Sequence, residues 1–200
     1  MAVTIMPLPT DMNIWLGSQS PRRSEILKAA GYSFQTIVSD KEETSPPHIS
    51  VTKIPEYLAI QKNNDILPLL ADENALLITA DTLVILEDTV LGKPKDRDDA
   101  IKILSLLSGN THTVITGVCI ADKRGNISTF SSATSVTFRE LDVEEILFFI
   151  DNYKPYDKAG AYAVQEWIGY VGISHIEGCY YNIMGLPMHD LYLRLKNWSH

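Results

Sequence analysis

The feature that most constrains the fold of this chain is a long apolar run in its middle, from Leu76 to Leu86. Such a run is typical of a central strand covered on both faces, because a strand with one face in water alternates apolar and polar side chains. Asp81 interrupts the run between Ala80 and Thr82. An ionised carboxylate in a buried strand is costly unless it meets a cation or a metal ion. The run therefore predicts that Asp81 is a functional carboxylate, a member of a structural ion pair, or a residue at a strand end.

Helical and strand-like segments alternate on both sides of this run. Apolar spacing and capping signals predict helices over 21–30, 52–70, 96–107 and 142–152 and from 187 onwards. Strands are predicted over 14–16, 33–39, 114–121, 131–138 and 170–184, with a loop over 40–50 and a hairpin turn at 123–126. This pattern favours an α/β fold, a mixed β-sheet with flanking helices. Because no linker divides the chain, residues 13–200 are interpreted as one domain behind a loose tail of residues 1–12.

Composition limits the classes of function. The 200 residues carry a net charge of −8, which argues against affinity for a nucleic acid polymer but allows a small anion held by a few cations. Acidic residues interrupt every apolar run before it is long enough to span a bilayer, and the N-terminal residues lack signal-peptide features, so no membrane partner is expected. Cys119 and Cys179 lie in apolar, strand-like contexts and are predicted to be buried free thiols, which favours a cytoplasmic location.

A second informative stretch, residues 17–25, reads as a tight turn followed by a helix with Ser20 as its N-cap and a proline at its first position. Arg22 and Arg23 fall in the first turn, where the positive end of the helix dipole disfavours cations by roughly 0.3–1 kcal/mol each. An anion of high charge, bound by backbone N–H groups, the Ser18 and Ser20 hydroxyls and the guanidinium groups, would offset that cost. The alternatives are an exposed basic turn and a Ser-Pro phosphorylation site.

Three further groups are candidates on weaker signals. Glu42 and Glu43 lie in the predicted loop and could join Asp81 as oxygen ligands of Mg²⁺, although adjacent loop glutamates are usually solvated. Lys93 stands between a glycine and a proline, which fix its direction, and it is either a phosphate contact or a plain turn lysine. The amide of Gln165 both donates and accepts hydrogen bonds, as reading a base edge or capping a strand requires.

Together these segments resemble the Maf family of nucleoside triphosphate pyrophosphatases, which are related in fold to the inosine triphosphate pyrophosphatases. The matching segments occur in family order and extend over residues 14–198. They are Ser18-Gln19-Ser20-Pro21-Arg22-Arg23, Glu42-Glu43, Lys62, Ala80-Asp81-Thr82, Leu91-Gly92-Lys93-Pro94, Leu107-Ser108-Gly109, Asp157-Lys158-Ala159-Gly160-Ala161-Tyr162 with Gln165, and Gly185-Leu186-Pro187. The resemblance implies an elongated mixed sheet dividing two lobes, with a nucleotide cleft between the lobes.

The resemblance also implies a reaction and the residues that perform it. Such enzymes hydrolyse nucleoside triphosphates between the α- and β-phosphates, giving a nucleoside monophosphate and pyrophosphate, with Mg²⁺ or Mn²⁺ as cofactor. By match to family positions, Asp81 is the proton acceptor, and Asp81 and Glu43 are the metal-linked carboxylates. The implied catalytic residues are Asp81, Glu43, Lys62 and Lys93. The implied substrate-binding residues are Ser18, Ser20, Arg22, Arg23, Thr82 and Gln165, of which Arg22, Thr82 and Gln165 are linked to substrate choice.

The resemblance further indicates a branch of the family. Arg22, Thr82 and Gln165 together resemble the dTTP/UTP pyrophosphatases, with modified pyrimidine nucleotides as further candidates, whereas a relative acting on 7-methyl-GTP usually carries tryptophan in place of Arg22. A 7-methyl-GTP pyrophosphatase and a nucleotide-binding regulator of cell division stay open as alternatives, and a homodimer is compatible with the family. Glu166 and Trp167 replace the glycine-rich turn of many relatives, so Trp167 either reshapes the base pocket or packs against its lobe.

Overall fold

The structure, a computed structural model, describes residues 12–41 and 44–198. These residues contain one mixed β-sheet. Its strands in chain order are β1 (Asn13–Gly17), β2 (Phe34–Thr36), β3 (Ala75–Leu86), β4 (Thr89–Leu91), β5 (Thr111–Asp122), β6 (Ile127–Phe138) and β7 (Ile173–Glu177). The spatial order is β2-β1-β3-β5-β6-β7, with β4 paired to β3. β1 is parallel to β2 and β3, while β4 is antiparallel to β3 and β7 to β6, so the predicted mixed α/β sheet is confirmed.

Seven α-helices accompany this sheet in the part of the chain that the structure describes. They are α1 (Pro21–Ala29), α2 (Ile54–Ile66), α3 (Arg97–Leu107), α4 (Val143–Tyr153), α5 (Trp167–Gly172), α6 (Tyr180–Ile183) and α7 (Met188–Lys196). All but α5 and α6 lie in segments where the apolar spacing and capping signals predict a helix. Local capping explains two of the starts, since Asp96 accepts a hydrogen bond from Asp99 N at 2.8 Å and Asp142 forms a capping box with Glu145. Within the described ranges no helix is long and apolar enough to cross a membrane.

The chain divides into two compact units. The first unit contains the residues up to Asp81, Thr116–Ser132 and the stretch from Gly185 onwards, and the second contains Thr82–Ile115 and Ala133–Met184. The boundary therefore falls inside three strands, β3, β5 and β6. Asp81 and Thr82, neighbours on β3, belong to different units.

In the first unit, helix α2 packs closely on the strands. A Cβ added at Gly117 of β5 would lie 2.1 Å from Glu56 N, so only glycine allows the strand and the start of the helix to approach this closely. The Glu56 carboxylate accepts a hydrogen bond from Thr129 Oγ1 at 2.8 Å. On β3, Thr79 Oγ1 donates to Ala59 O at 2.6 Å. These contacts fix the position of α2 along β3.

The second unit has a hydrophobic core that encloses one polar pair. His112 Nε2 and Tyr162 Oη are 2.7 Å apart, and both rings pack against Phe138, with centroid separations of 5.8 and 5.2 Å. His112 is only 1% exposed, and burial lowers its pKa to about 4 and raises the pKa of Tyr162. The histidine is therefore neutral near pH 7 and ties the segment around Tyr162 to the start of β5.

The sequence prediction of a strand over 170–184 is wrong for most of that segment. Helix α5 extends to Gly172, β7 covers only Ile173–Glu177, and α6 follows from Tyr180. The physical reason is a glycine at each end of β7. Gly172, the last residue of α5, packs so closely on Phe138 that a Cβ would lie 3.1 Å from its ring, and Gly178 ends the extended backbone with φ at +126°. An apolar pattern does not reveal these two breaks.

Two smaller expectations also change. The strand predicted over 33–39 is shorter, because β2 covers only Phe34–Thr36. Both cysteines are free, but only Cys119 is buried in a strand, where burial raises the pKa of its thiol to about 12. Cys179 is half-buried and lies just before α6, outside the strands.

The close contact at Gly117 yields a stability prediction. Gly117→Ala places a methyl group against the backbone of α2, which cannot move away without shifting the helix. We expect the free energy of unfolding to fall by roughly 1–3 kcal/mol or more, as in other overpacked cores. Urea unfolding of this variant measures the change, with Gly92→Ala as the matched control, because a Cβ at Gly92 meets nothing within 4 Å. Equal stability of Gly117→Ala and the wild type would contradict the contact.

The buried His112 yields a prediction about pH. Its folded pKa, about 4, lies below the unfolded value near 6.5, so the unfolded chain binds more protons between these two pH values. The stabilisation from neutral His112 is complete above about pH 6.5 and is lost as the pH falls towards 4. As the pH falls from 6.5 to 4, we expect the free energy of unfolding to fall more for the wild type than for His112→Gln, by up to about 3 kcal/mol. Urea unfolding across this pH range measures both. Parallel pH profiles of the two proteins would show that His112 is not held neutral.

Candidate active site

The predicted site residues that follow β1, beginning with Ser18, lie near the middle of β3. The two strands are parallel and Gly17 pairs with Thr79. Ser18, which follows Gly17 directly, therefore lies beside the stretch that contains Asp81. A parallel pair of strands thus places the start of α1 next to the carboxylate that interrupts the apolar run.

Ser18 and Arg23 form the first cluster. Arg23 Nη1 donates to Ser18 Oγ at 3.0 Å, and Arg23 Nε donates to Gly185 O at 2.8 Å. The backbone N–H of Ser20 also donates to Ser18 Oγ, at 3.2 Å. Ser18 is buried, so its hydroxyl is a fixed point to which both the turn and the guanidinium group of Arg23 are tied.

The start of α1 has the chemistry of an anion site. Ser20 occupies the N-cap position, but its side chain makes no capping hydrogen bond, which corrects the prediction that it caps the helix. The first turn contains no acidic residue. Arg22 and Arg23, both half-buried, stand there instead, where the helix dipole favours a negative partner.

Lys62 and Asp81 form the second cluster. Lys62 Nζ lies 2.7 Å from Asp81 Oδ1 and also donates to Ala80 O at 3.3 Å. The lysine and aspartate side chains are only 16% and 15% exposed, so the pair is largely shielded from water. Lys62 is therefore the cation that a carboxylate in this strand requires, and α2 supplies it.

The remaining described residues of the predicted set lie in the second unit. Thr82 is half-buried on β3, and Lys93 is exposed beyond β4, in a turn where Gly160 N donates to Gly92 O at 3.1 Å. Gln165 is half-buried, and Tyr170 Oη donates to its backbone oxygen at 2.5 Å. The Gln165 side-chain oxygen is buried and, within the described parts of the chain, has no hydrogen-bond partner.

Two residues gain a clearer position from the structure. Trp167 packs edge-on against Phe148, with ring centroids 4.9 Å apart, and borders the core of the second unit. Lys158, to which the sequence interpretation assigns no role, is buried and paired with carboxylates. The one sequence feature that could have indicated its burial is its position beside the run of small residues Ala159-Gly160-Ala161.

The residues present suit a divalent cation bound mainly through its substrate. No group of three or more His, Cys, Asp or Glu side chains in residues 12–41 and 44–198 is arranged to hold a metal ion. Glu42 and Glu43, predicted as acidic partners of Asp81, lie outside the described residues. Mg²⁺ at phosphate sites usually takes one or two carboxylates together with phosphate oxygens. Asp81, a partly exposed carboxylate beside an anion site, fits that mode.

Comparison with known proteins covers nearly the whole described chain. The family model for Maf-like proteins matches residues 13–198. A dTTP/UTP pyrophosphatase of Porphyromonas gingivalis W83 is 48% identical over 188 residues, 93% of this chain and 94% of that protein. One of Parabacteroides distasonis is 47% identical over 186 residues, 92% and 95% of the two chains. Among solved structures, the Ham1 protein of Staphylococcus aureus gives a TM-score of 0.46 at 16% identity, covering 63% of this chain and 71% of that chain. On the family match and the two sequence identities, the chain belongs to the Maf family.

Proposed function

We propose that this protein hydrolyses dTTP and UTP between the α- and β-phosphates, releasing a nucleoside monophosphate and pyrophosphate. The observation that carries the proposal lies in the first unit, where the anion site at the start of α1 adjoins the Lys62–Asp81 pair. Both sequence relatives described above are named dTTP/UTP pyrophosphatases, which supports the same reaction.

The phosphate chain is proposed to bind at the start of α1. Ser18, Ser20 and the backbone N–H groups of the turn donate hydrogen bonds to phosphate oxygens, and Arg23 adds a charged planar donor. Arg23 is already aligned by Ser18 and by the Gly185 carbonyl, so little side-chain freedom is lost on binding. The acidic net charge of the chain is no obstacle, because Arg22 and Arg23 both lie in the first turn of α1, where the phosphates are proposed to bind.

Asp81 is proposed to accept the proton of the attacking water. A carboxylate does this only when it is aimed at the reacting atom, and Lys62 at 2.7 Å holds it in place. Lys62, together with Lys93, is also assigned to the charge that develops as pyrophosphate leaves. A divalent cation, when bound by Asp81 and Glu43, would polarise the phosphate and neutralise part of its charge.

Gln165 is proposed to read the base, with Arg22 and Thr82 as further contributors to substrate choice. Its buried amide oxygen is an acceptor without a partner among the described residues. The N3–H of uracil or thymine is a donor that satisfies such an acceptor, and the amide nitrogen can donate to a base carbonyl at the same time. This complementarity favours the dTTP/UTP assignment.

Pyrophosphate release from UTP, dTTP, CTP and 7-methyl-GTP, with and without Mg²⁺, tests the proposal. We expect metal-dependent release from UTP and dTTP, with the monophosphate as the other product. Asp81→Asn is the matched variant, and it is expected to bind UTP while hydrolysing it at least about 100-fold more slowly, the usual loss for a general base.

Other outcomes of this assay have distinct meanings. Faster release from 7-methyl-GTP than from UTP would move the protein to that branch of the family. Release of single phosphates, or of nothing from any nucleotide, would favour a nucleotide-binding regulator. Full activity of Asp81→Asn would remove Asp81 from the mechanism.

Arginine substitutions test the proposed phosphate site. Arg23→Ala removes a charged donor, and we expect kcat/KM for UTP to fall by the equivalent of roughly 1–3 kcal/mol. Arg22→Ala is expected to lower it by a similar order. Steady-state kinetics measure both effects, and thermal unfolding checks that the Arg23 contacts to Ser18 and Gly185 are not needed for folding itself. Unchanged kinetics in both variants would contradict the site.

A further inference from the structure

Lys158 is buried in the second unit, although the proposed mechanism gives it no role. Its side chain is 9% exposed, and its ammonium group lies 2.8 Å from Asp157 Oδ1 and 3.3 Å from Glu166 Oε1. A buried ammonium group is costly unless carboxylates pair with it, and such pairs tolerate little displacement. Lys158 is therefore an internal structural contact of this segment.

The two carboxylates do different things. Asp157 is 61% exposed. Because it directly precedes Lys158 in the sequence, its contact with Lys158 closes no loop. Glu166 lies at the far end of the segment 158–166 and is 24% exposed. The Lys158–Glu166 pair thus joins the two ends of a segment that contains Gln165.

The backbone around Gln165 is fixed from the other side as well. Tyr170 Oη donates to Gln165 O at 2.5 Å, and Glu166 N donates to Ala163 O at 3.1 Å. A Cβ at Gly169 would lie 2.1 Å from Val164 O, so the first turn of α5 packs closely on the residue before Gln165. The Gln165 side-chain oxygen is not used by these contacts. It is buried and has no hydrogen-bond partner within the described ranges, so it is the acceptor that a ligand could satisfy.

The direction in which a glutamine amide points decides which pyrimidine it binds. With one orientation Oε1 accepts the N3–H of uracil and Nε2 donates to O4. After half a turn, Nε2 donates to N3 of cytosine and Oε1 accepts from the cytosine amino group. A mobile amide therefore binds both bases, whereas an oriented amide binds one of them.

We propose that Lys158 is a positioning residue for Gln165. Its ion pair with Glu166 closes the segment 158–166 and keeps the Gln165 amide in the orientation that accepts uracil and rejects cytosine. This inference rests on the proposed function, since that function assigns base reading to Gln165. A direct phosphate contact by Lys158 is the competing assignment, and it predicts equal effects on all nucleotides.

The test compares two variants that each remove one carboxylate charge from the same lysine. Glu166→Gln keeps the side-chain size and opens the loop-closing pair, and Asp157→Asn is the matched control that leaves this pair in place. The ratio of kcat/KM for UTP to that for CTP is measured for both variants, for Lys158→Met and for the wild type. We expect the ratio to fall about tenfold in Glu166→Gln and Lys158→Met, the size of a lost charged hydrogen bond, and to stay unchanged in Asp157→Asn.

Amide hydrogen exchange over residues 159–166 is measured in parallel, because it reports on the loop without requiring activity. Faster exchange in Glu166→Gln than in Asp157→Asn supports the proposal. If Lys158→Met does not fold, Glu166→Gln and its control carry the test.

Three results would overturn the proposal. One is a UTP/CTP ratio that stays at the wild-type value in folded Glu166→Gln. Another is an equal loss of kcat on UTP and CTP in Lys158→Met with no change in the ratio, which would make Lys158 a phosphate contact. The third is unchanged hydrogen exchange in Glu166→Gln. A wild-type protein that hydrolyses no nucleotide would instead defeat the proposed function, and hydrogen exchange would still decide whether Lys158 positions the segment.

Discussion

Placing Asp81 in the middle of β3 with little exposure carries a desolvation cost that the first unit has to offset. Lys62 offsets it at 2.7 Å, but a lysine on a neighbouring helix reaches the carboxylate only if the helix is held at one distance and in one register. The close approach at Gly117 sets the distance, and the hydrogen bond from Thr79 to Ala59 sets the register. The packing of α2 is therefore part of the proposed chemistry, because removing one partner of a shielded ion pair leaves the other charge uncompensated.

The same reasoning explains how an acidic protein is suited to an anionic substrate. Net charge governs weak attraction at long range, which salt screens within about 8–10 Å. Binding at short range depends on where donors are fixed, and Ser18 holds both the turn and the guanidinium group of Arg23. The positive end of α1, with no acidic residue in its first turn, adds to this local field. A few oriented groups thus outweigh the overall charge of the chain.

Features that depend on neighbours in sequence were the ones that could be predicted. The central strand follows from a nearly continuous apolar run, and the starts of α3 and α4 follow from Asp96 and Asp142, whose caps involve residues three positions away. The segment 170–184 could not be predicted, because its backbone path depends on the packing of Gly172 against Phe138, 34 residues away, and on the positive φ of Gly178, rather than on the apolar pattern. The family resemblance named the members of the candidate site, but the partner of Asp81 and the buried state of Lys158 emerged only from tertiary structure.

Lys62, which is half-buried, and Lys158, which is buried, are stabilised in the same way but serve two different purposes. Lys62 and Lys158 each lie largely out of water beside a carboxylate, so each is stable only while its partner keeps its place. In the first unit the partner, Asp81, is itself the proposed reactive group, so position and chemistry cannot be separated by changing it. In the second unit the partner, Glu166, is the N-cap residue of α5 and has no proposed catalytic role. Lys158 also has a second carboxylate partner, the exposed Asp157. Opening the Lys158–Glu166 pair therefore changes the orientation of the Gln165 amide, while Lys158 stays paired with Asp157. Such a pair can thus change base choice without changing the reaction.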